Sequence, residues 1–178
     1  HIETRTRPFL FAETGHDAAL YAGTATQMAN WPGTRALPLM REDVVPVASP
    51  ALLARRARWT PAAIAKAPLL QQTTRPEAWR QWFAAMGVDS PAALAGPRYE
   101  LFSMTAMAAV AGLGVALVPK MLVMPELARG ELVVACDNPL PGDRHYYVVV
   151  PESRAGDPTL QAFSGWLQHV VDGSGAAV

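Results

Sequence analysis

The stretch from Leu101 to Pro119 constrains this chain more than any other. It runs LFSMTAMAAVAGLGVALVP, without a single charged residue. Ser103 is placed to cap a helix through Met104, Met107, Ala108, Val110 and Ala111. Such a helix is apolar almost all round, which predicts burial. Gly112-Leu113-Gly114 stops it and turns the chain into a strand over Val115–Val118. The run is broken by glycine and proline before it reaches membrane-spanning length. A buried helix that opens after a strand offers free N–H groups to a ligand.

Small polar residues followed by proline recur along the chain. Ser49-Pro50, Thr60-Pro61, Ser90-Pro91 and Asp157-Pro158 each predict a helix start. The side-chain oxygen accepts an orphan backbone N–H, and proline has no N–H to leave unpaired. Thr74 to Glu77 is a fifth start, with a capping box between its end residues. Beyond it Trp79, Trp82, Phe83 and Met86 share one helical face, best read as core, and Gly87 suits the left-handed position after the helix. A last amphipathic helix spans 158–171, with a stripe of Leu160, Phe163, Leu167 and Val170 or Val171.

Between these lie β-rich runs over 17–22, 42–47, 69–72, 115–118, 132–136 and 146–150. Several lack alternation, as strands covered on both faces do. Strands alternating with helices predict an α/β fold with largely parallel sheets.

Composition excludes several classes. Half of the 178 residues are apolar (51%) and 17% are charged, which excludes intrinsic disorder. One cysteine, Cys136, rules out an internal disulfide and reads as an inert buried thiol. The net charge of zero lacks the footprint of a stand-alone nucleic-acid binder. The start of the chain has no signal-peptide apolar core, and a cytoplasmic location is expected. His1, His16, His145 and His169 are scattered, so no metal site is expected. No nucleophile elbow and no phosphate-binding glycine loop is present, so neither an enzyme nor a cofactor is expected.

Three segments carry a family resemblance: LPLMREDVVPVASPALL (37–53), PLLQQTTRPEAWRQWFAAMGV (68–88) and MAAVAGLGVALVPKMLVMPELARGELV (107–133). The W-x-x-W-F at Trp79–Phe83 stands out. So does G-x-G-V-A-L-x-P at Gly112–Pro119, followed by L-x-x-G-x-L. Over roughly Ile2 to Val171 the chain resembles the effector-binding domain of LysR-type transcriptional regulators, in the subgroup of the glycine-cleavage activator and the β-lactamase regulator.

The resemblance implies a type II periplasmic-binding-protein-like fold, with two α/β subdomains joined by two crossing strands. These would be residues 1–48 plus 146–172, and 49–145. His1 to Thr6 would be the domain's second strand. The domain's first strand and helix, and the family's DNA-binding helix-turn-helix, would lie outside this chain. A small-molecule effector would sit between the subdomains and modulate DNA binding by the full-length protein, itself a homodimer or homotetramer. The alternative is a free-standing solute-binding protein of the same fold.

The candidate effector residues are Thr4, Tyr21, Gly23, Phe102, Ser103, Thr105 and Tyr146. Thr4, Phe102–Ser103 and Tyr146 match family positions; the others end strands or surround the helix start. Each has a plainer role open to it: Ser103 as an N-cap, Thr4 as a partner of backbone groups, Tyr146 as core. Arg5, Arg7 and Arg75 could pair an anionic effector or lie in solvent. The segment after Ser49 and the region from Phe9 to Glu13 are the candidates for contact with a second copy.

Overall fold

The computed structural model describes residues 1–5, 9–54 and 59–175, with residues 174 and 175 by backbone alone. In chain order the elements are α1 (Phe11–Thr14), β1 (Ala19–Gly23), α2 (Ala25–Ala29), β2 (Thr34–Arg41), β3 (Val44–Ala48), α3 (Pro50–Leu53), α4 (Pro61–Ile64) and β4 (Leu69–Gln72). There follow α5 (Ala78–Ala85), β5 (Arg98–Tyr99), α6 (Phe102–Val110), β6 (Val115–Pro119), α7 (Met124–Ala128), β7 (Val133–Val134), β8 (His145–Pro151) and α8 (Pro158–Gly175). They form two compact units: His1–Thr6 with Asp43–Pro141, and Arg7–Glu42 with Gly142–Val178. The subdomains expected above divide the chain differently. Here residues 43–48 group with 49–141, because β3 pairs with both β6 and β7.

The first unit is built on a five-stranded sheet in the order β5-β4-β6-β3-β7. Pairing is parallel only among β5, β4 and β6, the strands that α5 and α6 link in sequence. β3 is antiparallel to both its neighbours. The expectation of largely parallel sheets is therefore corrected, since an apolar strand pattern reports burial and not direction. Every residue of β3, β4 and β6 is buried.

Strand periodicity divides those residues between two faces. Val44, Ala48, Leu69, Val115 and Leu117 pack with Trp79, Trp82, Phe83 and Ile64. Val45, Val47, Leu70, Ala116 and Val118 pack with the alanines of α6. In α5, Trp79 stacks on Phe83 with centroids 5.4 Å apart, and its Nε1 donates to the Leu70 carbonyl at 3.0 Å. Trp82 Nε1 donates to the Asn138 carbonyl at 2.7 Å. Gly87 closes the helix in the left-handed region, at φ 65°.

Ser49 and Thr60 cap α3 and α4 as expected, accepting from the amides of Leu52 and Ala63, with Pro50 and Pro61 at the first helical positions. Two expected starts differ. Ser90-Pro91 opens only turns, because the chain must bend again at Gly96 (φ 114°) and Pro97. The Thr74–Glu77 capping box does not form. α5 begins at Ala78 with Glu77 as an N-cap that makes no cap bond, and Thr74 Oγ1 accepts from Gln72 Nε2 instead. The run 132–136 shortens to β7, where Val47 and Ala48 are its partners.

The second unit has a three-stranded antiparallel sheet, β1-β8-β2, with β8 central. β2 carries Pro38 and a register shift between Pro38 and Met40, and proline is tolerated because β2 is an edge strand. One face packs Val148 and Val150 on Leu160 and Leu167 of α8. The expected stripe of α8 is only partly used: Phe163 and Val170 are exposed, and Phe163 stacks on exposed Trp166. Asp157 Oδ1 caps α8 by accepting from the Thr159 amide at 2.9 Å.

The bond to Arg154, and secondarily that amide, holds the Asp157 carboxyl below the ordinary Asp range. A carboxyl whose folded value is depressed stabilises the fold above its unfolded value. That contribution is lost as pH falls through the lowered folded value. A carbon-13 titration should place Asp157 below the other aspartates, and Asp157→Asn should flatten this part of the acid unfolding profile. An ordinary titration value would remove the cap from the account.

Candidate functional site

In α/β sheets ligands bind outside the carboxyl ends of parallel strands. Here β4 ends at Gln72, β5 ends at Tyr99, and α6 opens beside them at Phe102. The N-cap is Leu101, extended at φ −109° and ψ 143°, with no side-chain cap bond. The expectation of Ser103 as N-cap is thereby corrected: it lies in the first turn and is exposed. Helix first-turn amides have no intrahelical acceptor, and a hydroxyl in that turn sits among free donors.

Thr105 is fully buried. Its Oγ1 donates to Gln72 Oε1 at 2.8 Å, and Gln72 Nε2 donates to the Glu100 carbonyl at 2.6 Å. This chain of bonds fixes the end of β4 against α6, so Thr105 supports the site from beneath. Gln71 works similarly, donating to the carbonyls of Ala93 and Ala95. The two glutamines were not singled out from the sequence. Their signal was there: two amides at the end of an apolar strand must find partners if buried.

Phe102 and Tyr99 are half-buried against the same core cluster, and the Arg75 guanidinium lies over the Phe102 ring, 5.5 Å from its centroid. α6 buries Thr105, Ala106, Ala108 and Ala109. It exposes Met104, Met107 and Val110, with Met107 72% accessible. The expected all-round burial is corrected, because small residues let the helix approach the sheet while the longer side chains face outward. Thr4 is exposed in irregular backbone, and His1–Arg5 form no strand. Thr6 and Arg7 lie outside the described residues, while Arg5 pairs with Glu3 at 2.7 Å.

In the second unit Tyr21 and Gly23 lie on β1 and Tyr146 on β8. The register sets Tyr21 opposite Tyr147, and Ala22 opposite Tyr146. Tyr21 therefore packs with Met28, Tyr147 and Trp31 on one face, while Tyr146 projects from the other. The Tyr146 hydroxyl oxygen is buried. Gly23 is buried, and a Cβ there would stand 2.8 Å from the Tyr21 ring.

Arg144 organises this end of the sheet. Its Nε donates to Glu42 at 3.1 Å, and its other nitrogens reach the Ala22 carbonyl and Gln27. The Glu42 side chain is 1% exposed. Burial first, and the Asp137 charge second, push the Cys136 thiol above its ordinary value, which is the reverse of an activated nucleophile.

Two α/β units, with a helix start at the carboxyl ends of parallel strands, define a type II periplasmic-binding-protein-like domain. The chain belongs to the LysR substrate binding domain family, which it matches over residues 4–172. The glycine cleavage system transcriptional activator of Escherichia coli (strain K12) is 31% identical over 152 residues, 85% of this chain and 48% of that protein. The AmpR effector binding domain from Citrobacter freundii has a TM-score of 0.82 at 27% identity, covering 97% of this chain and 82% of that one. A solved variant of that domain, with a threonine, a serine and a tyrosine replaced by valine, alanine and phenylalanine, has the same TM-score and identity over 96% of this chain and 83% of its own. The chain spans about half the length of the curated relatives it matches. Among the described residues no helix is long and apolar enough to cross a membrane.

Proposed function

We propose that this chain is the effector-sensing part of a bacterial, cytoplasmic LysR-type transcriptional regulator. A small molecule binds it and thereby modulates DNA binding and transcription by the full-length protein. DNA is contacted through a helix-turn-helix outside residues 1–178. The regulator acts without turnover. The relatives are transcriptional regulators, which favours this reading over a free-standing solute-binding protein.

The effector set is Thr4, Tyr21, Gly23, Phe102, Ser103, Thr105 and Tyr146. The observation that carries it concerns two of these. The serine and tyrosine replaced in the Citrobacter freundii variant are separated by the same number of residues as Ser103 and Tyr146. The threonine of that variant lies farther from its serine than Thr4 does from Ser103, so spacing does not support Thr4. Thr105 acts by holding the start of α6, and Phe102 by shaping an apolar wall. A ligand shifts a conformational equilibrium only by its differential affinity for the two states.

The regulator acts as a homodimer or homotetramer. Its support is that Met104, Met107 and Val110 of α6, with Leu101 before it and Leu113 after it, are exposed apolar side chains that a second copy would cover.

The test is a thermal-shift screen of amino acids and small peptides, followed by calorimetry on the compound that raises the melting temperature most. Ser103→Ala and Tyr146→Phe should each weaken its binding about tenfold, the value of one lost hydrogen bond. Gln161→Ala, on exposed α8, should leave it unchanged. Parental affinity in both site variants would end this assignment.

A further inference from the structure

The second unit holds a cavity that the effector set does not explain. It measures about 580 Å³ and is lined by Phe9, Tyr21, Met28 and Trp31, with Glu13 and Asn30 among its polar residues. Protein interiors leave few voids larger than a water molecule, and ligand pockets commonly occupy 300–1,000 Å³. The walls are set by local sequence. Thr24 and Gln27 form a reciprocal capping box that starts α2 and so places Met28 and Trp31 over β1. The Trp31 indole is held by its neighbours. Phe11 stacks on it at 5.9 Å, Tyr21 meets it edge-on at 5.4 Å, and its Nε1 donates to the Phe9 carbonyl at 3.1 Å. An aromatic wall held in this way loses little freedom when a ligand arrives.

The lining itself carries acidic charge, and the Arg144 guanidinium stands behind it, donating to Gln27 at the wall. Among the described residues that line it, Glu13 is the only charged one. The carboxylate is exposed, and no described residue makes an ion pair with it. Electron-rich ring faces attract ammonium groups, and an apolar groove takes the body of a ligand that carries one.

We propose that this cavity binds an organic cation: an ammonium group on a flat or apolar body, with the ammonium at Glu13 and the body against Trp31 and Tyr21. The site shares Tyr21 with the proposed effector set, but it is built from the second unit alone and does not depend on that reading.

The experiment is a nitrogen-15 NMR titration of the full chain with phenethylammonium, with 2-phenylethanol and phenylacetate as neutral and anionic counterparts. The five tryptophans give five indole N–H reporters. Phenethylammonium should move the Trp31 signal saturably and leave those of Trp59, Trp79, Trp82 and Trp166 in place. It should bind up to about fivefold tighter than the alcohol, the upper range for an exposed ammonium–carboxylate pair. Glu13→Gln, a surface change, should abolish that preference, and raised salt should reduce it. Ser103→Ala should leave it intact, which separates failure of this site from failure of the effector assignment. Equal affinity for the alcohol, shifts centred on another tryptophan, or an unchanged preference in Glu13→Gln would overturn the proposal. So would a Trp31 signal that moves with protein concentration alone, because a second copy would then fill the groove.

Discussion

Replacing Trp82 with alanine should lower the unfolding free energy of the first unit by about 3–5 kcal/mol. Trp82 has no exposed surface and sits edge-on to both Trp79 and Phe83, at centroid distances of 5.6 and 5.2 Å. Its removal leaves a cavity flanked by residues anchored on a buried sheet, which cannot collapse to fill it. It also removes the donor to the Asn138 carbonyl. Native stabilities lie near 5–15 kcal/mol, so this one change could unfold much of the unit. Urea titration followed by circular dichroism would measure it. Trp82→Phe separates the two contributions: it keeps most of the packing and should cost about 1 kcal/mol for the lost bond. A loss below about 1 kcal/mol for the alanine variant would mean that the aromatic cluster repacks, contrary to its burial.

The second large effect is expected at Arg144. Arg144→Met should cost about 2–3 kcal/mol, at or below the range for breaking a buried pair because the arginine is partly exposed. The change withdraws three donated bonds at once, from Glu42, Gln27 and the Ala22 carbonyl. Arg144→Lys keeps the charge and loses the fork, so it should recover only part of the stability. Combining Arg144→Met with Glu42→Leu should be less destabilising than the sum of the two, because no carboxylate is then left in a dry site. Hydrogen exchange would localise the damage, with protection falling first at the end of β1 near Gly23. Additive losses would show that the two side chains act independently.

These predictions fall where the sequence was legible to different degrees. The α5 face was plain, because Trp79, Trp82 and Phe83 are large, apolar and helically spaced, and a face of that kind is stable only when buried. The caps at Ser49 and Thr60 were plain too, being local events between a side chain and an amide three residues on. The Ser90 start failed because helix initiation there competes with the bend at Gly96, where a Cβ would approach the Leu69 carbonyl oxygen to 2.1 Å. β2 escaped notice because Pro38 hides it; only its edge position and register shift make the proline harmless. Strand direction could not be read either. β3 and β6 are equally apolar, yet β3 runs against both its neighbours, and nothing in their side chains records it.

The candidate site shows the same division. Residue types and the glycine-marked turn after α6 were enough for the family and for the place of Ser103. They did not show that Ser103 follows the cap, that Thr105 serves Gln72, or that Tyr21 and Tyr146 leave β1 and β8 on opposite faces. What the sequence determined by itself was the set of elements and their buried sides, because propensity, capping and hydrophobic periodicity act over a few residues. What only the tertiary structure decided was which buried polar groups meet and which apolar faces stay in water. Those outcomes depend on strand register and on contacts between residues far apart in the chain, such as Gln72 with Thr105 and Arg144 with Glu42.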